Sequence, residues 1–295
     1  MPSSRWKRLV KLLLAVLLLD QLLLWTLLTR PAASLRGLIE LTGRETPPYY
    51  RLAPNLATTW TLWRDASATQ VHTNHLGLRG PERPLAKTAG VRRVVLMGDS
   101  VTFGIGVNDA DALPVQLQAA LTQTDVEVWN GGVPGYAMAD FLGQLPTQVL
   151  PLQPDLVVLQ LSRNDSLVPM RLTPAFLKAL QFSGLARAWL LVRFNFVSDY
   201  PAYTRDLATF LQLAREAHVP VLIWTEGVPD RANEELVAIA QRGGAEVRKT
   251  GANKFERLEG DPHFSPRGNA QAAQTLLPLV LGRLNGTRPV QSDFP

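Results

Sequence analysis

Five short apolar runs constrain the fold of this chain more than any other feature. They are Val94–Met97, Val126–Trp129, Leu156–Leu161, Val219–Trp224 and, less apolar, Ala245–Val247. Val94–Met97, Leu156–Leu161 and Val219–Trp224 lack the strict polar alternation of a half-solvated strand, so they read as strands buried on both faces. Segments of helical period separate them: Leu113–Leu121, Met138–Val149, Phe176–Val192, Thr204–Ala217 and Glu234–Gln241. A last amphipathic helix over Pro266–Leu284 stops at Asn285-Gly286. Strands alternating with helices make right-handed crossovers, which predicts an α/β fold with a parallel sheet covered on both faces.

The N-terminus has a different character. Leu9–Leu28 is leucine-dense, with Lys11 near its start, and is flanked by Arg5, Lys7 and Arg8 on one side and Arg30 on the other. About twenty residues suffice for a helix to cross a hydrocarbon layer of roughly 30 Å. Asp20 and Gln21 fall near its middle. Twelve leucines contribute roughly −4 to −7 kcal/mol on an insertion scale against about +3 for a central Asp, so leucine prevails. The two polar residues are expected to face a partner helix rather than lipid. A cleaved signal peptide, with Pro31-Ala32-Ala33-Ser34 as its cleavage site, is the rival, but such apolar cores usually run about 7–15 residues. The expectation is an uncleaved membrane anchor over residues 1–30. The positive flank places the N-terminus in the cytoplasm and the rest in the periplasm or outside the cell.

Residues 31–90 are expected to form an irregular, β-rich juxtamembrane segment, marked by Pro47-Pro48-Tyr49-Tyr50, Thr58-Thr59-Trp60 and Leu62-Trp63. Residues 91–286 carry the α/β domain, and the polar tail 287–295 is expected to be loose. The chain has no cysteine, which excludes disulfides and thiolate metal sites. The net charge of +5 is modest and partly N-terminal. No basic patch interleaved with aromatics points to nucleic acid. His72 and His75 are too few to define a metal site, and none is expected. Between Asn164 and Tyr203 lies an apolar insertion holding Phe182, Leu185 and Trp189. It could line an acyl pocket or lie against a membrane; the commoner reading of such a stripe is a crossover helix buried on the sheet.

The run Val94–Met97 ends in Gly98-Asp99-Ser100, then Thr102-Phe103-Gly104. Ligands of open α/β sheets bind at the carboxyl ends of strands, so this serine is placed for chemistry; the plain alternative is a helix cap. These residues resemble the first block of the SGNH/GDSL hydrolases, a superfamily of esterases, lipases and carbohydrate deacetylases. Asn130-Gly131-Gly132-Val133-Pro134-Gly135-Tyr136 is similar to the second block and Gln160-Leu161-Ser162-Arg163-Asn164-Asp165 to the third. The latter has Ser162 where the family usually has glycine. Gly260-Asp261-Pro262-His263 is similar to the last block. One residue separates Asp261 from His263, where the family more often has two, which leaves Glu259 as a reserve acid. Asn74-His75-Leu76-Gly77-Leu78-Arg79-Gly80-Pro81-Glu82 resembles a lead-in found in membrane-anchored bacterial members.

The resemblance implies a three-layer αβα sandwich around a mainly parallel, flavodoxin-like sheet of about five strands. It implies a serine esterase with Ser100, His263 and Asp261 catalytic and the Ser100 N–H, Gly135 N–H and Asn164 amide as oxyanion hole, with no cofactor or metal. Asp99 and Asp165 are expected to brace their turns. The substrate is an ester, an acyl lipid or an acylated glycan. Two alternatives stand: an O-acetyl esterase or O-acyltransferase of cell-envelope polysaccharide, and a non-catalytic envelope scaffold.

Overall fold

The computed structural model describes residues 4–28, 37–61, 68–121, 125–169, 173–186, 188–189, 192, 197–228, 230–251 and 254–286. The candidate cleavage stretch 31–34 and the tail 287–295 lie outside these residues. Two antiparallel pairs come first: β1 (Ile39–Leu41) with β2 (Tyr50–Leu52), and β3 (Ala57–Trp60) with β4 (Thr69–His72). β5 (Arg92–Gly98), β6 (Val126–Gly132), β7 (Leu156–Leu161), β8 (Val221–Glu226) and β9 (Glu246–Thr250) then form one parallel sheet. Its order is β6-β5-β7-β8-β9, the doubly wound order that leaves a crevice beside the first strand of the sheet.

Side chains of the inner strands alternate between two cores. Val95, Met97, Val157, Leu159, Leu161 and Ile223 face one side, and Val94, Leu96, Leu156, Val158, Leu222 and Trp224 the other. The first side is covered by α4 (Met138–Gln144), α6 (Tyr200–Glu216) and α7 (Asp230–Gly243) through Phe141, Leu207, Phe210 and Leu236. The second is covered by α3 (Leu113–Ala120) and α8 (Pro266–Leu284) through Leu117, Ala273, Leu276 and Val280. Burial on both faces is why the strands are continuous apolar runs. β5 begins two residues earlier than its apolar run because Arg93 is itself buried. Its guanidinium donates to Glu127 at 2.9 Å and to the carbonyls of Pro84, Leu85, Ala86 and Leu152. β9 is the faintest run in the sequence because it is an edge strand, with one neighbour and a partly exposed, charged composition.

Residues 37–90 are not a separate layer. Leu38, Tyr50, Leu52, Trp60, Val71 and Leu78 join the same core as the first sheet face.

The insertion after β7 departs from the buried crossover expected for it. α5 (Pro174–Phe182) stops before Ser183, whose hydroxyl accepts from the Ala186 N–H at 3.2 Å as an N-cap, and helical residues resume at 184. Phe182, Leu185, Trp189, Val192 and Val197 are exposed rather than packed on the sheet.

α1 (Ser4–Leu28) is helical throughout, as the leucine-dense segment implies. Among the described residues no helix is long and apolar enough to cross a membrane. The membrane span expected within residues 1–30 is thus not found among these, although residues 9–23 of α1 are rich in leucine. Those leucines are exposed on consecutive positions, Leu12, Leu13 and Leu14, then Leu17, Leu18 and Leu19.

Candidate active site

Ser100 follows β5 as the first residue of α2 (Ser100–Phe103). Two close approaches make glycine necessary at the turn. A Cβ on Gly98 would collide with the Thr102 hydroxyl and Gln160, and Gly104 closes α2 with a left-handed φ of 87°. Asp99 caps α2, accepting from the Val101 N–H at 2.9 Å through Oδ1.

His263 stands on the loop leading into α8, which Ser265 caps through the Gly268 N–H at 3.1 Å. That loop doubles back on itself: the Leu258 N–H donates to the His263 carbonyl at 2.9 Å, and Arg257 bridges to Phe264. His263 Nε2 is 2.8 Å from Ser100 Oγ, and His263 Nδ1 is 2.5 Å from Asp261 Oδ1. The His263 N–H also donates to Asp261 Oδ1 at 2.8 Å. One intervening residue therefore suffices for the pair. The backbone turn brings the carboxylate onto both the imidazole and the amide of the same residue. Asp261 is buried, whereas the reserve acid Glu259 is exposed.

Asn164 lies in a short 3₁₀ turn just after β7. Its Nδ2 donates to Asp99 Oδ2 at 2.7 Å, leaving the second N–H of that amide outside this bond. The Ser162 hydroxyl sits 2.5 Å from Asn164 Oδ1 and 3.1 Å from Asp99 Oδ2. The serine that replaces the family's glycine thus orients the amide, with its nitrogen toward the carboxylate. Asp165 accepts from the Ser162 N–H and is held well above the usual carboxylate range by burial and by the nearby charge of Asp99.

Gly135 occupies the third position of a tight turn after β6. The Tyr136 N–H donates to the Val133 carbonyl at 3.2 Å, Pro134 stands second, and Gly135 has φ 79°, a type II pattern. The turn is pinned from upstream by a reciprocal pair. Tyr50 Oη donates to the Pro134 carbonyl at 2.9 Å and Tyr136 Oη to the Tyr50 carbonyl at 2.5 Å. Asp140 at the start of α4 accepts from the Ala137 N–H at 3.0 Å. Its other oxygen has no hydrogen-bond partner among the described residues, and burial raises its pKa to about 7.

Several residues that hold this site escaped the sequence reading. Arg79 is buried and its guanidinium collects the ends of the nucleophile turn. It donates to the carbonyls of Phe103 at 3.0 Å, Gly104 at 2.6 Å and Val107 at 2.8 Å, and pairs with Asp109 at 2.7 Å. Arg257 ties the His263 loop to β8, donating to the Pro262 carbonyl and to Glu226 at 2.5 Å. Most of these partners are backbone carbonyls, which no residue type announces. The one available signal was an arginine set between two glycines in the lead-in. His72 and His75 each pair with a single acid, Asp109 and Glu82.

A hydroxyl, an imidazole and a carboxylate stand in line at the strand ends of a doubly wound sheet, an arrangement able to activate a serine. The chain belongs to the GDSL-like lipase/acylhydrolase family, whose profile matches residues 96–271, and it is a hydrolase of ester bonds. Among solved structures, TesA is similar at 20% identity over 66% of this chain and 99% of its own, with a TM-score of 0.45. The SGNH-hydrolase esterase AlinE4 is similar at 18% identity over 67% and 99%, TM-score 0.41. The acetyl xylan esterase AlAXEase is similar at 15% over 64% and 99%, TM-score 0.44. A search of curated proteins finds no match.

Proposed function

We propose that the protein is a membrane-anchored serine esterase that works through Ser100, His263 and Asp261. The observation that carries this reading is the unbroken hydrogen-bonded line from Ser100 Oγ through His263 to Asp261. His263 Nε2 takes the Ser100 proton as Oγ attacks the ester carbonyl, and Asp261 holds the ring by Nδ1 and steadies its positive charge. The tetrahedral oxyanion is received by the Ser100 and Gly135 N–H groups and the Asn164 amide. His263 passes the proton to the leaving alcohol as the C–O bond breaks. Water then attacks the acyl-serine, gives its proton to His263, and the acid leaves as Oγ is reprotonated.

The anchor reading rests on α1. Positions 12, 13 and 14 are about 100° apart around a helix, so leucines exposed at all three present apolar surface on nearly every side. A helix apolar all round belongs in a protein core or a bilayer, and among the described residues no core surrounds these leucines. In this reading residues 1–30 anchor, residues 31–90 join and brace, and the domain of 91–286 works on the side of the membrane opposite the N-terminus.

Ser100→Ala should abolish hydrolysis of short p-nitrophenyl esters while the circular dichroism spectrum stays native. Undiminished hydrolysis by that variant would remove Ser100 from the mechanism.

A further inference from the structure

Asp20 is the awkward residue of the N-terminal helix, an acid in the middle of a leucine-rich segment. Its Oδ1 accepts from the Ser183 hydroxyl at 2.8 Å and from the Leu185 N–H at 2.8 Å. The partner of the helix is thus the break between α5 and the helical residues that follow it. Asp20 lies eight residues before Leu28, so the contact is about 12 Å short of the helix end.

The same insertion turns apolar side chains outward. Leu185, Trp189 and Val192 are spaced i, i+4 and i+7, one face of a helix, and Phe182 precedes them; Phe182 is 63% and Trp189 52% exposed. Between Asp165 and Asp199 the chain carries Arg171, Lys178, Arg187 and Arg193 and no acid. An apolar face combined with positive charge suits the boundary of an anionic bilayer. The neck of the insertion is closed by backbone bonds from Val168 to Val197 at 3.2 Å and from Asp199 to Ser166 at 2.9 Å. It opens within a few residues of Asn164.

We infer that the insertion, through its described residues 173–186, 188–189 and 192, is a second membrane-embedded element, docked on the anchor helix at Asp20 and holding the mouth of the active site against the bilayer. This rests on the anchor reading given above. The lipid that covers the leucines of α1 also covers Phe182, Leu185, Trp189 and Val192, because the Asp20 contact places both surfaces at the same depth. Asp20 finds its partners inside the chain, which is what an acid in hydrocarbon requires.

The absence of native cysteine permits unambiguous labelling. Full-length Leu185→Cys, Trp189→Cys, Leu18→Cys and Glu235→Cys proteins would each carry an environment-sensitive fluorophore and be reconstituted in vesicles of phosphatidylcholine and phosphatidylglycerol. Nitroxides on the lipid chains should remove most of the emission at positions 18, 185 and 189 and leave position 235 unquenched. Quenching at 18 without quenching at 185 and 189 would overturn the inference and leave the anchor intact. Loss of quenching at 18 as well would overturn both. Asp20→Leu should keep position 18 quenched and reduce quenching at 185; unchanged quenching at 185 would overturn the docking role of Asp20.

Discussion

Asp99 accepts from its own turn and from the two polar side chains after β7, so a single carboxylate fixes the distance between the Ser100 turn and Asn164. Asn164→Ala removes a charge-facing donor, and turnover should fall about 10²–10³-fold with KM little changed, as steady-state kinetics would read. Ser162→Gly restores the residue usual in the family but releases Asn164 Oδ1. The lost hydrogen bond is worth about 1 kcal/mol, so kcat should drop about fivefold rather than rise. Asp140 makes a separate prediction. Burial lifts its carboxyl from the ordinary aspartate range to about 7, so the folded state binds its proton more tightly than the unfolded chain does. That contribution to stability is complete below the unfolded value, shrinks as pH rises, and is gone above about 7. Asp165 is shifted in the same direction. Thermal melts should therefore show Tm falling from acidic pH toward mildly alkaline pH. Asp140→Asn, which keeps an oxygen for the Ala137 N–H, should flatten that fall in part. A slope identical to wild type would contradict the assignment.

At the scale of elements, the clamp between the upstream segment and the nucleophile turn is the device that sequence patterns revealed least. Arg79 holds three carbonyls in the stretch Phe103–Val107, which a lysine cannot span with one ammonium. Arg79→Lys should cost about 2–4 kcal/mol, seen as a lower Tm. It should also reduce kcat more than it changes KM, because the serine turn loses its brace; unchanged Tm and kcat would contradict this. The strands β5, β7 and β8 were legible because each is buried on both faces and so written in apolar residues, β9 was faint because it is partly exposed and charged, and Pro266–Leu284 was legible from Ser265 and Gly286 at its ends. The four candidate loops were legible because their residue types match the family's blocks and each follows a strand or precedes the last helix. Tyr50 and Arg79 were not, since they bond to backbone carbonyls distant in sequence, and Arg257 was not, since it joins a carbonyl of its own loop to the carboxylate of Glu226 on another strand. The insertion was misjudged for a related reason. An apolar helical stripe gives no indication of whether its neighbour is the sheet or something outside the protein.

On the scale of the whole molecule, residues 37–61 and 68–90 share a core with the sheet and touch both the Ser100 turn and the Gly135 turn. The site is accordingly braced from the side on which the chain enters from α1. Trp189→Ser, remote from the hydrolytic line, should leave kcat/KM on a soluble short ester unchanged and lower the rate on an ester embedded in vesicles. Equal rates on both substrates would detach the insertion from substrate access. The account as a whole stands on Ser100 being activated by His263. Incubation with a fluorophosphonate followed by peptide mass spectrometry tests that most directly. A single adduct on the peptide containing Ser100, lost in His263→Ala, is the predicted result. An intact Ser100 peptide, or an adduct that forms equally fast without His263, would contradict it.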